Sequence, residues 1–143
     1  MAKTLYIGSD HAGLALKNVL IPQLQEDGWQ IEDMGTMTGE SCDYPDFAHA
    51  VCRKVLENQA FGILVCGTGI GMSMAANRHK GIRAALCTHE FHAHATREHN
   101  NANVLCLGER VTAPGLAVEL ARIFLTTDFA GGRHQKRIEK IDI

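Results

Sequence analysis

The chain of 143 residues has the length of one domain with one core, and 45% hydrophobic against 21% charged residues is an ordinary globular balance. A formal net charge of -2 argues against nucleic acid as the main partner, and no apolar run approaches the roughly 18 residues that cross a bilayer. Met1 to Tyr6 enter a strand pattern with no signal-peptide core, and five cysteines without a Cys-x-x-Cys pair give no disulfide framework, so a reduced, cytoplasmic protein is expected.

Thr4 to Gly8 reads as a first buried strand, followed by the loop Ser9-Asp10-His11-Ala12-Gly13. A helix is expected from His11 to about Asp27, kinked or restarted near Pro22 and stopped at Gly28. Trp29 to Asp33 reads as a second strand and Gly35 to Pro45 as a loop. Phe47, Val51 and Val55 recur at helical spacing, which predicts a helix from Asp46, a fair N-cap, to about Asn58. Phe61 to Cys66 has the length and apolar continuity of a strand buried on both faces, and a helix follows from about Ile70 to Arg78. Ile82 to Cys87 reads as strand four, Glu90 to about His99 as a helix, and Asn103 to Leu107 as strand five. Pro114 to about Thr126 is a well-patterned helix whose buried stripe is Leu116, Leu120, Ile123 and Phe124. Gly131-Gly132 break the chain before a short basic tail, Arg133 to Lys140, read as helical.

Five strands alternating with helices predict a single α/β domain: a parallel sheet covered on both faces. A strand order of 2-1-3-4-5 would put the topological switch between strands one and three. The loops meeting there are Ser9–Gly13 and Cys66–Gly71, the most chemically loaded in the chain. Gly67, Gly69 and Gly71 let a backbone turn sharply and aim successive N–H groups at one point, a receptor for an anion or a developing oxyanion. Cys66 stands at its lip, where a thiol gains thiolate character; the plainer reading is a tight turn beside an inert buried cysteine. The loop is no dinucleotide fingerprint, since Met72 stands where a third-spaced glycine would be, and no Walker A sequence occurs, so no NAD or ATP site is expected.

Asp10 and His11 follow the first strand directly, as an N-cap and a surface residue on the plainer reading, or as a carboxylate and an imidazole facing the switch crevice. The histidine-rich stretch His89 to His99 does not carry His-Glu-x-x-His spacing, which argues against a metal. His99-Asn100 close that helix, where a histidine can partner the helix dipole or reach into a site as a general acid. Arg133 and Arg137 are i and i+4 on the tail, either a solvated basic face or a phosphate clamp that Arg110 could join. A tail beyond a Gly-Gly break can serve a neighbouring subunit's site.

Taken together, Gly8-Ser9-Asp10-His11-Ala12-Gly13, Asp43-Tyr44-Pro45, Cys66-Gly67-Thr68-Gly69-Ile70-Gly71, Ala75-Ala76-Asn77, Gly81-Ile82-Arg83-Ala84, His99-Asn100-x-x-Asn103-Val104 and Gly131-Gly132-Arg133-His134 resemble the type B ribose-5-phosphate isomerase family, which includes the galactose-6-phosphate isomerase subunits. The resemblance implies a Rossmann-like three-layer sandwich with a five-stranded parallel sheet, and a homodimer or dimer of dimers with sites shared between subunits. It further implies a metal-free, cofactor-free aldose–ketose isomerisation of a small sugar phosphate, ribose 5-phosphate being the family's commonest substrate. By the same resemblance Cys66 is the base, amides of Gly67, Gly69, Ile70 and Gly71 hold the enediolate oxygen with Thr68 assisting, and His99 with Asp10 opens the furanose ring. His11, Arg110, Arg133 and Arg137 become phosphate ligands, and Asn100 a further substrate contact. One branch of the family uses a glutamate just after the glycine loop; Met72 occupies that position here, leaving Cys66 as the only plausible base of the loop. Galactose 6-phosphate, allose 6-phosphate and tetrose 4-phosphates are the alternative substrates, and a non-catalytic phosphate-ligand-binding module the alternative function.

Overall fold

The computed structural model describes residues 3–143. Five parallel strands, β1 (Thr4–Ser9), β2 (Gln30–Asp33), β3 (Phe61–Cys66), β4 (Ala84–Leu86) and β5 (Val104–Gly108), form one sheet. The helices are α1 (Leu14–Glu26), α2 (Tyr44–Asn58), α3 (Ile70–Ala76), α4 (Glu90–Asn100), α5 (Pro114–Thr126) and α6 (Arg133–Ile138), with a 3-10 turn at His11–Gly13 before α1. Among the described residues no helix is long and apolar enough to cross a membrane.

Strand alternation divides the core into two layers, one on each side of the sheet. Leu5, Ile7, Ile63, Val65, Leu105 and Leu107 point to the side covered by α1, α4 and α5, where Leu20, Leu24, Ala93, Leu120 and Phe124 meet them. Tyr6, Leu64, Cys66, Val104 and Cys106 point the other way, onto Val51, Cys52 and Val55 of α2 and Met72 and Ala76 of α3. This is the three-layer α/β sandwich expected of five buried strands.

The strand order is β2-β1-β3-β5-β4, which corrects the expected 2-1-3-4-5. Every residue of β5 is buried, so it takes an interior place between β3 and β4. The three half-buried residues of β4 pair on one side only and form the edge, a position short strands tolerate best. The exchange leaves the switch between β1 and β3 where it was expected. Asn77 closes that edge: its amide donates to the Ala84 carbonyl at 3.0 Å and accepts from the Ala84 N–H at 2.8 Å, imitating a strand partner.

Three local expectations also change. The helix after the first loop starts as a 3-10 turn and becomes α-helical only at Leu14, then runs unbroken through Pro22. Asn18, whose carbonyl loses its helical donor to the Pro22 ring, is exposed, so the missing bond does not fall in the core. α2 begins at Tyr44 with Asp43, not Asp46, in the cap position, because Pro45 fits the first helical turn and extends the helix backwards.

Candidate active site at the switch point

β1 and β3 end side by side, and their following loops are locked together. The Asp10 N–H donates to the Val65 carbonyl at 3.3 Å, and Gly13 lies so close to β3 that a Cβ there would be 2.4 Å from the Val65 oxygen. Only glycine permits that approach. The Asp10 carboxylate accepts the Gly13 N–H at 3.1 Å, so it caps its own turn, and it is 6% exposed at the wall of a cleft of about 280 Å³. The capping and crevice-facing readings of Asp10 therefore hold together.

Cys66 forms the floor of the same cleft, and its Sγ accepts the Gly69 N–H at 3.1 Å. Gly69 has φ +80, and a Cβ would strike Leu86 at 2.5 Å and the Leu107 backbone at 3.0 Å, so the turn that aims this N–H at sulfur demands glycine. Thr68 Oγ1 accepts the Ile70 N–H at 3.2 Å, while Thr68, Gly67 and Gly71 line the cleft itself. The β5–α5 loop brackets the turn from beyond: Glu109 N–H bonds the Cys66 carbonyl at 2.9 Å and Arg110 N–H the Gly67 carbonyl at 3.0 Å. This brings the Arg110 guanidinium over Gly67, into the cleft.

His11 completes the near wall. Its Nδ1 accepts the Cys42 N–H at 3.2 Å, which places the proton of the neutral ring on Nε2, a donor available to an anion. Sequence reasoning assigned no role to Tyr44, Glu109 or Lys17. The Tyr44 ring lies across Gly71, whose Cβ would be 2.6 Å from it, and lines the cleft. Its signal was the Asp43-Tyr44-Pro45 segment just before a helix. Glu109 Oε1 accepts the Leu16 N–H at 2.8 Å, tying the start of α1 to the β5 end. Lys17 is fully buried, with Nζ 2.6 Å from both Asp33 Oδ1 and the Thr36 carbonyl. The loop it holds bonds Ser9 on both sides, through Ser9 N–H to Gly35 O at 2.7 Å and Thr36 N–H to Ser9 O at 2.6 Å. No sequence signal marked this lysine.

His99, Asn100, Arg133 and Arg137 are not brought to this cleft. α4 runs back from the carboxyl end of β4, about 16 Å for its 11 residues, to the amino end of the sheet. There Arg83, just before β4, donates to the Asn100 carbonyl at 3.0 Å. The His99 ring stacks on His134 of α6, centroids 4.7 Å apart and planes 19° apart, and Arg133 and Arg137 are exposed on the same short helix. Partial desolvation, followed by Arg133, His99 and Arg137, holds the His134 pKa below the ordinary histidine range. The expected residues thus form two groups at opposite ends of the sheet.

The other cysteines offer no competing nucleophile among the core positions. Burial pushes the Cys52 and Cys87 thiols up to about 12, and it also holds the wholly buried Cys106 well above the ordinary thiol range. A larger groove, about 600 Å³, follows the β4 edge past Cys87 and Asn100, but Asp10, His11, Cys66, the glycine turn and Arg110 meet in the smaller cleft at the switch point. Among the described residues no three His, Cys, Asp or Glu side chains are grouped to hold a metal ion.

Comparisons with known proteins identify the family and match the fold. A family profile described as Ribose/Galactose Isomerase matches residues 5–141. A putative sugar phosphate isomerase of Bacillus subtilis is 53% identical over 137 residues, 94% of this chain and 92% of its own. Ribose-5-phosphate isomerase B of Escherichia coli is 41% identical over 97% of this chain and 94% of its own. The crystal structure of a ribose 5-phosphate isomerase from Thermotoga maritima superposes with a TM-score of 0.96 at 50% identity, covering 99% of both chains. Ribose-5-phosphate isomerase B from Mycoplasma genitalium, solved with bound ribulose-5-phosphate, superposes with a TM-score of 0.95 at 44% identity over 99% of this chain and 95% of its own. With a five-stranded parallel α/β fold, the expected switch-point cleft and a family match spanning nearly every residue, the chain belongs to the Ribose/Galactose Isomerase family.

Proposed function

We propose that the chain is a sugar-phosphate aldose–ketose isomerase that interconverts ribose 5-phosphate and ribulose 5-phosphate through an enediolate. The observation that carries this reading is the Cys66 sulfur at the cleft floor with the Gly69 N–H directed at it. That bond fixes the sulfur at the cleft floor, in position to act as a base on a sugar carbon bound above it. In the aldose direction Cys66 takes the proton from C2. The C–H electron pair forms the C1–C2 double bond, and the carbonyl pair moves onto O1. With the amides of Gly69 and Ile70 engaged by Sγ and Thr68 Oγ1, those of Thr68 and Gly71, which line the cleft, meet the developing oxyanion. The thiol then returns its proton to C1, and transfer of the O2 proton to O1 completes the ketose.

A single chain holds the base and oxyanion donors but keeps His99, Asn100, Arg133 and Arg137 at the far end of its sheet. The complete site is formed by two copies of this chain, one giving Asp10, His11, Cys66 and Arg110 and its partner copy giving the α4 end and α6. His99 and Asp10 then open the furanose, while His11 Nε2–H and the arginines hold the phosphate and fix the reacting carbons over Cys66. The binding of ribulose 5-phosphate by the Mycoplasma genitalium relative supports a five-carbon substrate.

The test is turnover of ribose 5-phosphate, allose 6-phosphate and erythrose 4-phosphate by wild type and Cys66→Ala without added metal. Removal of a general base is expected to lower kcat by about 10²–10⁴-fold on the five-carbon substrate. Undiminished turnover by Cys66→Ala would overturn the thiolate mechanism, and absence of turnover by wild type on all three would leave a binding module.

A further inference from the structure

At the amino ends of β3 and β5, away from the cleft, Arg83 and Arg97 converge on a second pocket of about 450 Å³. Arg97 is only 6% exposed. Its Nε donates to the Thr127 carbonyl at 3.0 Å, its Nη1 to Asn101 Oδ1 at 2.9 Å and the Ala102 carbonyl at 2.6 Å, and its guanidinium lies 4.8 Å over the Phe61 ring. Arg83 Nε donates to the Asn100 and Asn101 carbonyls, each at 3.0 Å. Both side chains are therefore fixed, and both are fixed by neutral groups, sharing Asn101.

Among the described residues neither guanidinium makes an ion pair. The carboxylates that face them, Asp142 towards Arg83 and Asp128 towards Arg97, stand beyond contact distance, and no acidic side chain lines the pocket. Asp142 is engaged by the Gly81 N–H at 3.0 Å. Burial, and for Arg97 also repulsion from Arg83, holds both guanidinium pKa values below the ordinary arginine range. Two partly desolvated like charges held together without a counter-charge are costly unless something offsets them.

A capping role accounts for part of this arrangement. α4 ends in the left-handed residue Asn101, φ 47, and the carbonyls of Asn100, Asn101 and Ala102 need donors. Nε of Arg83 and Nη1 of Arg97 supply them. Among the described residues, capping leaves Arg83 Nη1 and Nη2 and Arg97 Nη2 without a partner, on side chains that line the pocket beside Asn101 and Gln59. Neutral donors would cap those carbonyls without bringing two full charges together.

We propose that this pocket is a second binding site, for a phosphate-class oxyanion. A carboxylate is satisfied by one guanidinium fork, whereas a tetrahedral oxyanion offers acceptors to two guanidiniums and the flanking amides at once. Val55, Leu56 and Phe61 form its apolar wall, so the ligand is a phosphate ester of a small metabolite rather than the bare ion. The site is separate from the cleft containing Arg110 and does not depend on the catalytic reading.

The experiment titrates inorganic phosphate into the full-length protein at low ionic strength, followed by calorimetry, for wild type, Gln59→Glu, Gln59→Lys and Leu56→Glu. Gln59 and Leu56 are exposed pocket residues outside the catalytic groups. Wild type is expected to bind a phosphate whose Kd rises at least about tenfold in Gln59→Glu and Leu56→Glu and falls in Gln59→Lys, since opposite charges at one rim position act in opposite directions. The kcat/KM for ribose 5-phosphate is expected to stay within about twofold in all three. Phosphate binding unchanged by both acidic variants would overturn the site, as would acetate binding there as tightly as phosphate.

Discussion

Lys17→Met tests how the switch-point loops are held. The ammonium has no exposure and two partners at 2.6 Å, Asp33 Oδ1 and the Thr36 carbonyl, while the Asp33 side chain is 24% exposed. Removing one member of a buried pair costs about 3–5 kcal/mol because the other charge is left without compensation. Asp33 keeps the Gly35 N–H at 2.9 Å and can regain some water, which places its part at the low end, about 3 kcal/mol. The orphaned Thr36 carbonyl adds about 1 kcal/mol. The sum, about 4 kcal/mol, is a large share of the roughly 5–15 kcal/mol that holds a domain together, and corresponds to a fall in Tm of about 12–16 °C. The assay is urea and thermal unfolding at fixed protein concentration, on Lys17→Met, Asp33→Asn and the double variant. The double variant should recover about 2 kcal/mol of the summed single losses, because it no longer strands a charge. A loss below about 1 kcal/mol in Lys17→Met, or strict additivity, would refute the view that this pair clamps the loop.

Three further outcomes are expected. At about neutral pH, iodoacetamide should label Cys66 and the partly exposed Cys42 but not Cys52, Cys87 or Cys106, whose burial keeps them protonated; mass spectrometry reads the sites, and rapid labelling of Cys106 in folded protein would contradict the burial argument. His79, 2.6 Å from His49, has its pKa lowered by burial, then by His49 and Arg53, so the unfolded chain takes the proton more readily than the folded one. That contribution is present above the unfolded value of about 6.5 and is lost as pH falls through it, so the urea midpoint should drop between about pH 7.5 and about pH 5.5, and His79→Gln should shrink the drop. Ribulose 5-phosphate is an open chain, its C5 oxygen being esterified, whereas ribose 5-phosphate closes through O4. His99→Gln should therefore lose about 10²-fold or more in ribose 5-phosphate turnover yet retain exchange of the ribulose 5-phosphate C1 proton with D₂O to within about tenfold, and equal loss of both would remove His99 from ring opening.

The elements most legible in the sequence are those whose signal is local. Phe61 to Cys66 and Pro114 to Thr126 carry their own periodicity, and both appear with the expected bounds. Strand order was not local. It follows from β5 being wholly apolar and β4 being short and half-buried, a comparison between two segments rather than a property of either. Of the site, the glycine turn and Asp10-His11 could be read because strand ends and turn residues place them. Lys17 could not, since a lysine next to Leu16 reads as the edge of an exposed face until Asp33, from another segment, is known to meet it. Arg97 is hidden in the same way among exposed histidines, its burial being set by Phe61 and Phe124.

The two groups of site residues differ in what holds them. Cys66, Asp10 and the glycine turn are anchored by buried strands and by contacts so close that Gly13 and Gly69 admit no side chain. α6 has six residues and buries none of them within its own chain. A helix of that length has little stability of its own in water. Within the chain, the His99–His134 stack and a few contacts with α4 are what fix it. On the proposed reading, its docking over the cleft of a second copy supplies the remaining surface, so phosphate binding and the ordering of α6 are one event. Binding energy from the phosphate is then spent on bringing His99 to the sugar ring, which is how a group remote from the reacting carbons comes to lower their barrier.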